Sequence, residues 1–280
     1  INGYASLEAI AIASDGQAGD RFGYSVGIDS HKVVIGAIGD DDNGSNAGSA
    51  YIFVQGWTQL AKLLASDGTA SDSFGIAVGI SGQNVVVGAP GVSDGKGSAY
   101  IFKQNSGNPN QWIQVAKLVD SGSSNGDKFG SSADIFENYA VVGVPYDDVA
   151  TNSDRGSVHI FQNDGINWIH QTTITASDGA AGDLFGFSVS ISGTRIVVGA
   201  PQGTGVSNST GAAYEFELIS GVWIEKGKLT SSDGIVGDLF GASVSNSNNF
   251  AVISAPGDDD NGPSSGSVYR FISDSLGNYS

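Results

Sequence analysis

Cysteine and methionine are both absent from the 280 residues, and proline occurs only six times. Without cysteine there is no disulfide framework, no thiol nucleophile and no thiolate metal site. The chain opens Ile1-Asn2-Gly3, as a processed or excised polypeptide would, and no signal sequence is visible. No apolar run approaches the ~20 residues needed to span a bilayer. Basic residues are scarce: 12 Lys and Arg stand against 29 Asp and Glu, a formal net charge of −17. Such a surface repels phosphate backbones, which argues against nucleic acid and anionic membranes as partners. Cations, cationic surfaces and neutral glycans suit it better. The three histidines, His31, His159 and His170, fall at unrelated positions. A GxSxG nucleophile elbow and a glycine-rich phosphate loop are missing as well.

Glycine, by contrast, is abundant. It supplies 42 of the 280 residues, about twice the usual ~7%. With many Asp, Asn and Ser, this composition describes many tight turns and therefore many short strands. The turns are periodic. Phe-Gly occurs at Phe22-Gly23, Phe74-Gly75, Phe129-Gly130, Phe185-Gly186 and Phe240-Gly241, with spacings of 52, 55, 56 and 55 residues. Around each pair the same grammar recurs: SDGxxGDxFG, a run like SVxIS, then VVxGAP, a polar loop, GSxYxF, and a tryptophan-led segment ending near KL.

Each unit reads as four strands. In the second copy, Phe74 to Ile80 alternates, and Val85 to Ala89 is a continuous apolar run of the kind buried on both faces. Ser98 to Phe102 alternates again, and Trp112 to Leu118 closes the unit. Four strands per ~55 residues, with no sustained helical period, describe a propeller blade. The expected fold is an all-β, five-bladed β-propeller of four-stranded antiparallel blades in one domain, residues 1–280. The repeats span about 14–65, 66–118, 120–175, 177–230 and 232–271. The fifth copy stops after its third strand, and Ala5 to Ala13 resembles the missing fourth, so the N-terminal strand is expected to close the ring. Lys62, Lys117 and Lys228 share one position on the outermost strand, where lysine discourages edge-to-edge pairing.

These motifs resemble the FG-GAP repeat family, which includes the N-terminal propeller of integrin α subunits. The triplet reads Gly88-Ala89-Pro90 and Gly199-Ala200-Pro201, softened to Gly36-Ala37-Ile38, Gly143-Val144-Pro145 and Ser254-Ala255-Pro256. The resemblance implies an extracellular β-propeller used for binding or adhesion. It does not carry over the family's calcium loop between FG and GAP. That stretch is short and nearly uncharged here, as in Ser81-Gly82-Gln83-Asn84.

The acid lies in two other connections. One precedes FG: Asp15/Asp20, Asp67/Asp72, Asp120/Asp127, Asp178/Asp183 and Asp233/Asp238. The other follows GAP: Asp40-Asp41-Asp42-Asn43-Gly44, Asp94, Asp147-Asp148 and Asp258-Asp259-Asp260-Asn261-Gly262. In a four-stranded meander both connections emerge on one rim. Candidate cation ligands are therefore Asp15, Asp20, Asp67, Asp72, Asp127, Asp178, Asp183, Asp233 and Asp238, with Asp40, Asp42, Asp258 and Asp260. Ca²⁺ is the cation that such oxygen donors suit. The competing structural role is acceptance of backbone N–H groups within each turn. Trp57, Trp112, Trp168 and Trp223 recur once per blade, with Tyr4 as a fifth. They would either stack on sugars or pack between blades. The reading is a secreted binding module, not an enzyme, that engages a glycan or an extracellular protein on its acidic rim. The alternatives are a structural subunit of an extracellular assembly and, behind it, a polysaccharide-active enzyme using an acid pair.

Overall fold

A computed structural model describes residues 10–54, 56–205, 209–247, 250–273 and 279. The chain is a five-bladed β-propeller with almost no helix. The first blade comprises β1 (Phe22–Asp29), β2 (Lys32–Ala37), β3 (Ser49–Val54) and β4 (Thr58–Leu63). The second has β5 (Val78–Ser81), β6 (Asn84–Ala89), a helical turn α1 (Val92–Gly95), β7 (Ser98–Asn105) and β8 (Asn108–Leu118). The third has β9 (Ser132–Phe136), β10 (Tyr139–Val144), β11 (Ser157–Asn163) and β12 (Trp168–Ile174). The fourth has β13 (Ser188–Ser192), β14 (Arg195–Ala200), β15 (Ala212–Ile219) and β16 (Val222–Leu229). The fifth shows β17 (Val244–Ser247), β18 (Phe250–Ala255) and β19 (Ser267–Ile272). Each blade is an antiparallel meander in chain order, and the inner strands β1, β5, β9, β13 and β17 pack in succession about the axis.

The apolar run of the second strand is buried on both faces in the second, third and fourth blades, as its composition predicts, while β18 of the fifth alternates buried and half-buried residues. Val85, Val86 and Val87 are fully buried, and so are Val141, Val142, Val197 and Val198. The cores lie between blades. Val34, Ile52 and Leu63 of the first blade meet Phe74, Val85 and Tyr100 of the second. The same layer recurs at the next three junctions. The FG phenylalanines Phe74, Phe129, Phe185 and Phe240 lose almost all exposure. Truncating one to alanine would cost about 3–5 kcal/mol.

The first strand of the second blade begins at Val78 rather than Phe74. The cause is local. Gly75 adopts φ +94°, and the peptide of Phe74 turns to pair with Gly48 of the preceding blade.

A bulge falls at one place in the outer pairing of the first four blades, after Ile52, Ile101, Ile160 and Glu215. It explains a puzzle in the sequence. Trp223 and Lys228 are five residues apart, which would place them on opposite faces of a regular strand. The extra residue restores a common face: Trp223 stands opposite Leu218 and Lys228 opposite Tyr214. That face looks toward the preceding blade.

The expected closing strand, residues 5–13, lies largely outside the described residues. Residues 10–13 form no strand, but Ala11 and Ala13 pack on Tyr51 and Phe53 of the first blade. At the seam between the fifth and first blades, Val26, Ile28 and Val268 are each about 70% exposed. Tyr4 also lies outside the described residues. Tyr279 stands at the corresponding place of the fifth blade: it pairs with Ser273, as Trp112 does with Gln104, Trp168 with Asn163 and Trp223 with Leu218. Its ring lies under the guanidinium of Arg195, as that of Trp112 lies under the ammonium of Lys32.

Candidate functional site

Both acidic connections do meet on one rim. In the first blade Lys62, on β4, reaches Asp15 of the incoming loop at 2.8 Å. It also reaches Asp40 and Asp42 of the loop after β2, at 2.8 and 2.6 Å. The buried Tyr51 hydroxyl donates to Asp15 and Asp40, both at 2.9 Å. The second and fourth blades repeat the arrangement. Lys117 lies 2.5 Å from Asp67 and Lys228 2.7 Å from Asp178, with Tyr100 and Tyr214 donating to the same carboxylates. The ammonium sits over the tyrosine ring, 5.3 to 5.4 Å from its centre. These lysines therefore bind carboxylates rather than merely guarding an edge.

The electrostatic consequence is legible blade by blade. Burial works to raise the Asp67 and Asp178 carboxyls, but hydrogen bonds from Lys117 or Lys228 and from the tyrosine hydroxyl outweigh it. Both carboxyls end below the ordinary range. Asp15 is lowered chiefly by its hydrogen bond from Lys62. The third blade supplies a contrast within the same molecule. It carries His159 where the others have tyrosine and Thr173 where they have lysine. Without the ammonium, burial and then the Asp120 and Asp148 charges raise the Asp147 carboxyl. Asp127 is raised by burial, with Asp147 and Asp148 adding to the effect. Burial lowers His159 to about 4, although Asp120 stands 3.9 Å from its Nε2.

The aspartates two residues before FG do not reach outward. Asp20, Asp72, Asp127, Asp183 and Asp238 are all buried. Each accepts the backbone N–H three residues upstream, from Gln17, Thr69, Ser124, Ala180 and Ile235. They hold their own turns closed. Asp233 and Asp258 both accept from Tyr269, at 2.7 and 2.9 Å, while Asp260 is exposed. Among the described residues no group of three or more His, Asp or Glu is placed to hold a metal ion; Asp15, Asp40 and Asp42 do converge, but on the Lys62 ammonium. The donor sets of the first, second and fourth blades do not fit calcium, because an ammonium already stands among their oxygens.

The tryptophans lie on the opposite rim. Trp112 and Trp223 are buried between blades, and Trp223 meets Tyr139 of the preceding blade edge to face at 5.7 Å. Their faces are closed to a sugar. Trp168 is partly buried, packed against the core between the second and third blades, while Trp57 is 41% exposed.

A different aromatic group lies open at the acidic end of the channel. A concavity there is lined by Tyr24, Pro90, Lys128, Pro145, Tyr146 and Phe187. Tyr24 and Phe187 each follow an FG pair and are 53% and 41% exposed. The Lys128 ammonium stands 4.7 Å from the centre of the Tyr146 ring. The prolines belong to the repeat, but Tyr24, Lys128, Tyr146 and Phe187 do not recur from blade to blade: the residue after FG reads Tyr24, Ile76, Ser131, Phe187 and Ala242. A search for periodic residues passes over them for that reason. Outside the cup, Asp41, Asp42, Asp94, Asp148, Asp259 and Asp260 are exposed around the rim.

A family model described as FG-GAP repeat matches residues 6–53, 57–102, 112–161, 168–216 and 223–271. Each match begins with the outer strand of one blade, or the segment before the first, and ends with the third strand of the next. No curated protein matches the chain.

Proposed function

This chain belongs to the FG-GAP repeat family, and from that premise we propose that it is an extracellular binding module whose ligand, a glycan, seats in the mouth of the channel on the acidic rim. The observation that carries this reading is the cup of exposed Tyr24 and Phe187 with Tyr146. Aromatic faces left in water on a rigid scaffold offer large apolar contact at low conformational cost. The surrounding carboxylates exclude anionic polymers and favour neutral or cationic ones. Binding rather than turnover fits the rim carboxylates, most of which are committed to lysines, tyrosines or backbone N–H groups. Calcium is not required by this reading.

The test is a glycan array followed by titration of any hit. The variants Tyr24→Ala and Phe187→Ala remove exposed rings and should leave the unfolding midpoint unchanged. Each should weaken binding about tenfold or more. Binding that survives both substitutions would remove the mouth from consideration. Failure of glycan and extracellular-protein panels alike would move the chain to the structural class of propeller subunits. Release of reducing ends from a polysaccharide would instead point to catalysis by the Asp127 and Asp147 side of the rim.

A further inference from the structure

The third blade keeps the acidic half of the rim bridge but has no lysine to complete it. Asp120 and Asp147 stand at the places of Asp15 and Asp40 in the first blade, and Asp147 accepts the Gly156 N–H as Asp40 accepts that of Gly48. In the first blade the Lys62 ammonium lies 2.8 Å from each of the two carboxylates. In the third, all four strands of which are described, Thr173 stands opposite His159 where Lys62 stands opposite Tyr51. All 12 lysines and arginines of the chain fall among the described residues, and none of them pairs with Asp120, Asp147 or Asp148.

His159 gives a second, independent indication. It is 4% exposed, and its Nε2 is buried with no hydrogen-bond partner in the protein. Burial in that condition is costly for a polar atom. The other ring nitrogen is engaged, 3.3 Å from the Thr173 hydroxyl. With its Nδ1 proton given to Thr173, the neutral ring offers Nε2 as an acceptor. Nε2 faces Asp120, whose Oδ2 lies 3.9 Å away. That gap is too long for a hydrogen bond, yet one nitrogen donor beside it reaches both atoms at about 2.9 Å. An ammonium has three N–H groups, enough for Nε2 and for both carboxylates. A water molecule has two and leaves the carboxylate charges unanswered.

We propose that this seat takes the side-chain ammonium of a lysine from a partner protein, held by Asp120 and His159 Nε2 with Asp147 alongside. A long aliphatic stem suits the depth of the seat, since Lys62 in the equivalent place leaves only 16% of its side chain exposed. An amine fixed directly to a sugar ring has no such stem. The incoming chain passes the exposed Thr173 and Asp148. The seat shares no residue with the channel mouth, so the two readings stand or fall separately.

The probe is Nα-acetyl-lysine N-methylamide, titrated against the 280-residue chain while the ring signals of the three histidines are followed by NMR. The His159 signals, assigned by elimination with His31→Gln and His170→Gln, should shift saturably in the millimolar range. The norleucine counterpart keeps the stem without the ammonium and should leave them in place, as should sodium chloride at matched ionic strength. Asp120→Asn, which retains the acceptor for the Gly122 N–H, should weaken binding about fivefold or more. Thr173→Lys changes an exposed residue and supplies the ammonium from within the blade. It should raise the unfolding midpoint and abolish the shift. Absence of any shift in the wild type, equal shifts from norleucine or salt, or undiminished binding by Thr173→Lys overturns the proposal. Glucosamine acting as well as the lysine probe also overturns it, since the stem would then count for nothing.

Discussion

Gly211 lies so close to Phe240 that a methyl group on it would stand 2.1 Å from the Phe240 carbonyl oxygen. The pair forms a parallel bridge between the fourth blade and the loop entering the fifth, and Phe240 donates its N–H to Thr210. Gly48 with Phe74, Gly97 with Phe129 and Gly156 with Phe185 make the same approach. The FG pair and the glycine of GSxYxF are thus two sides of one stitch, made at each described junction.

Gly211→Ala should therefore be severe. At φ +90° an alanine is strained even without neighbours, and here the added carbon meets backbone that cannot swing aside. The expected loss is about 2–4 kcal/mol, read as a lower urea midpoint at unchanged slope. A variant within ~0.5 kcal/mol of wild type would show that the stitch opens cheaply.

Lys228 tests the rim. Its ammonium bonds Asp178 at 2.7 Å, but that carboxylate is half exposed, so the pair contributes no more than about 1 kcal/mol. The folded Asp178 is more acidic than in the unfolded chain. Its contribution is therefore present at neutral pH and fades as pH falls below ~4. Lys228→Met should cost ~0.5–1 kcal/mol at pH 7 and less at pH 3, measured by urea unfolding at both. An equal loss at the two values would mean the lysine acts through packing alone.

The repeat made the propeller legible, because a blade's turns, buried second strand and FG stitch must reappear in every copy. The same periodicity placed the acidic loops on one rim and the lysines on the outer strand. It missed why the lysines are there: Lys62 is bound to Asp15, 47 residues earlier, and that contact is tertiary. One signal was available. Where tyrosine becomes His159, the lysine opposite becomes Thr173, so the two positions change together. Tyr24, Tyr146 and Phe187 were out of reach for the opposite reason, since they stand where the repeats differ. The aspartates before FG look like ligands in sequence but spend their charge on backbone N–H groups, a distinction only geometry makes.

Calcium offers a direct check on that distinction. In the first, second and fourth blades a calcium ion would have to displace an ammonium already bonded to the carboxylates. After chelator stripping, the thermal midpoint should be the same in millimolar Ca²⁺ as in equimolar Mg²⁺. Occupancy at ~100 times the dissociation constant would add about 2.7 kcal/mol, a shift easily seen. A calcium-specific rise of that size would mean that metal replaces lysine on the rim.

Asp134 makes the last prediction. It stands on β9 where other inner strands carry Gly27, Gly79 and Ser190, and its carboxylate fills space that the missing side chain of Gly79 leaves. It accepts the N–H of Ile135 at 2.8 Å and that of Ile191, in the next blade, at 2.9 Å. Burial outweighs these bonds, and no basic side chain offsets it, so the carboxyl is pushed up to about 6. An acid whose folded pKa exceeds its unfolded value takes up its proton first in the folded state. Stability must then rise as pH falls through 6, by at most about 3 kcal/mol, until the unfolded chain also protonates near ~4. Below that value the lysine-paired Asp15, Asp67 and Asp178 reverse the trend, because their folded forms resist protonation. Urea unfolding across pH 3 to 8 should therefore show a maximum a little above ~4. Asp134→Ser, the residue the fourth blade uses, should flatten the limb between pH 5 and 7. Parallel curves for the variant and wild type over that limb would show that another group governs it.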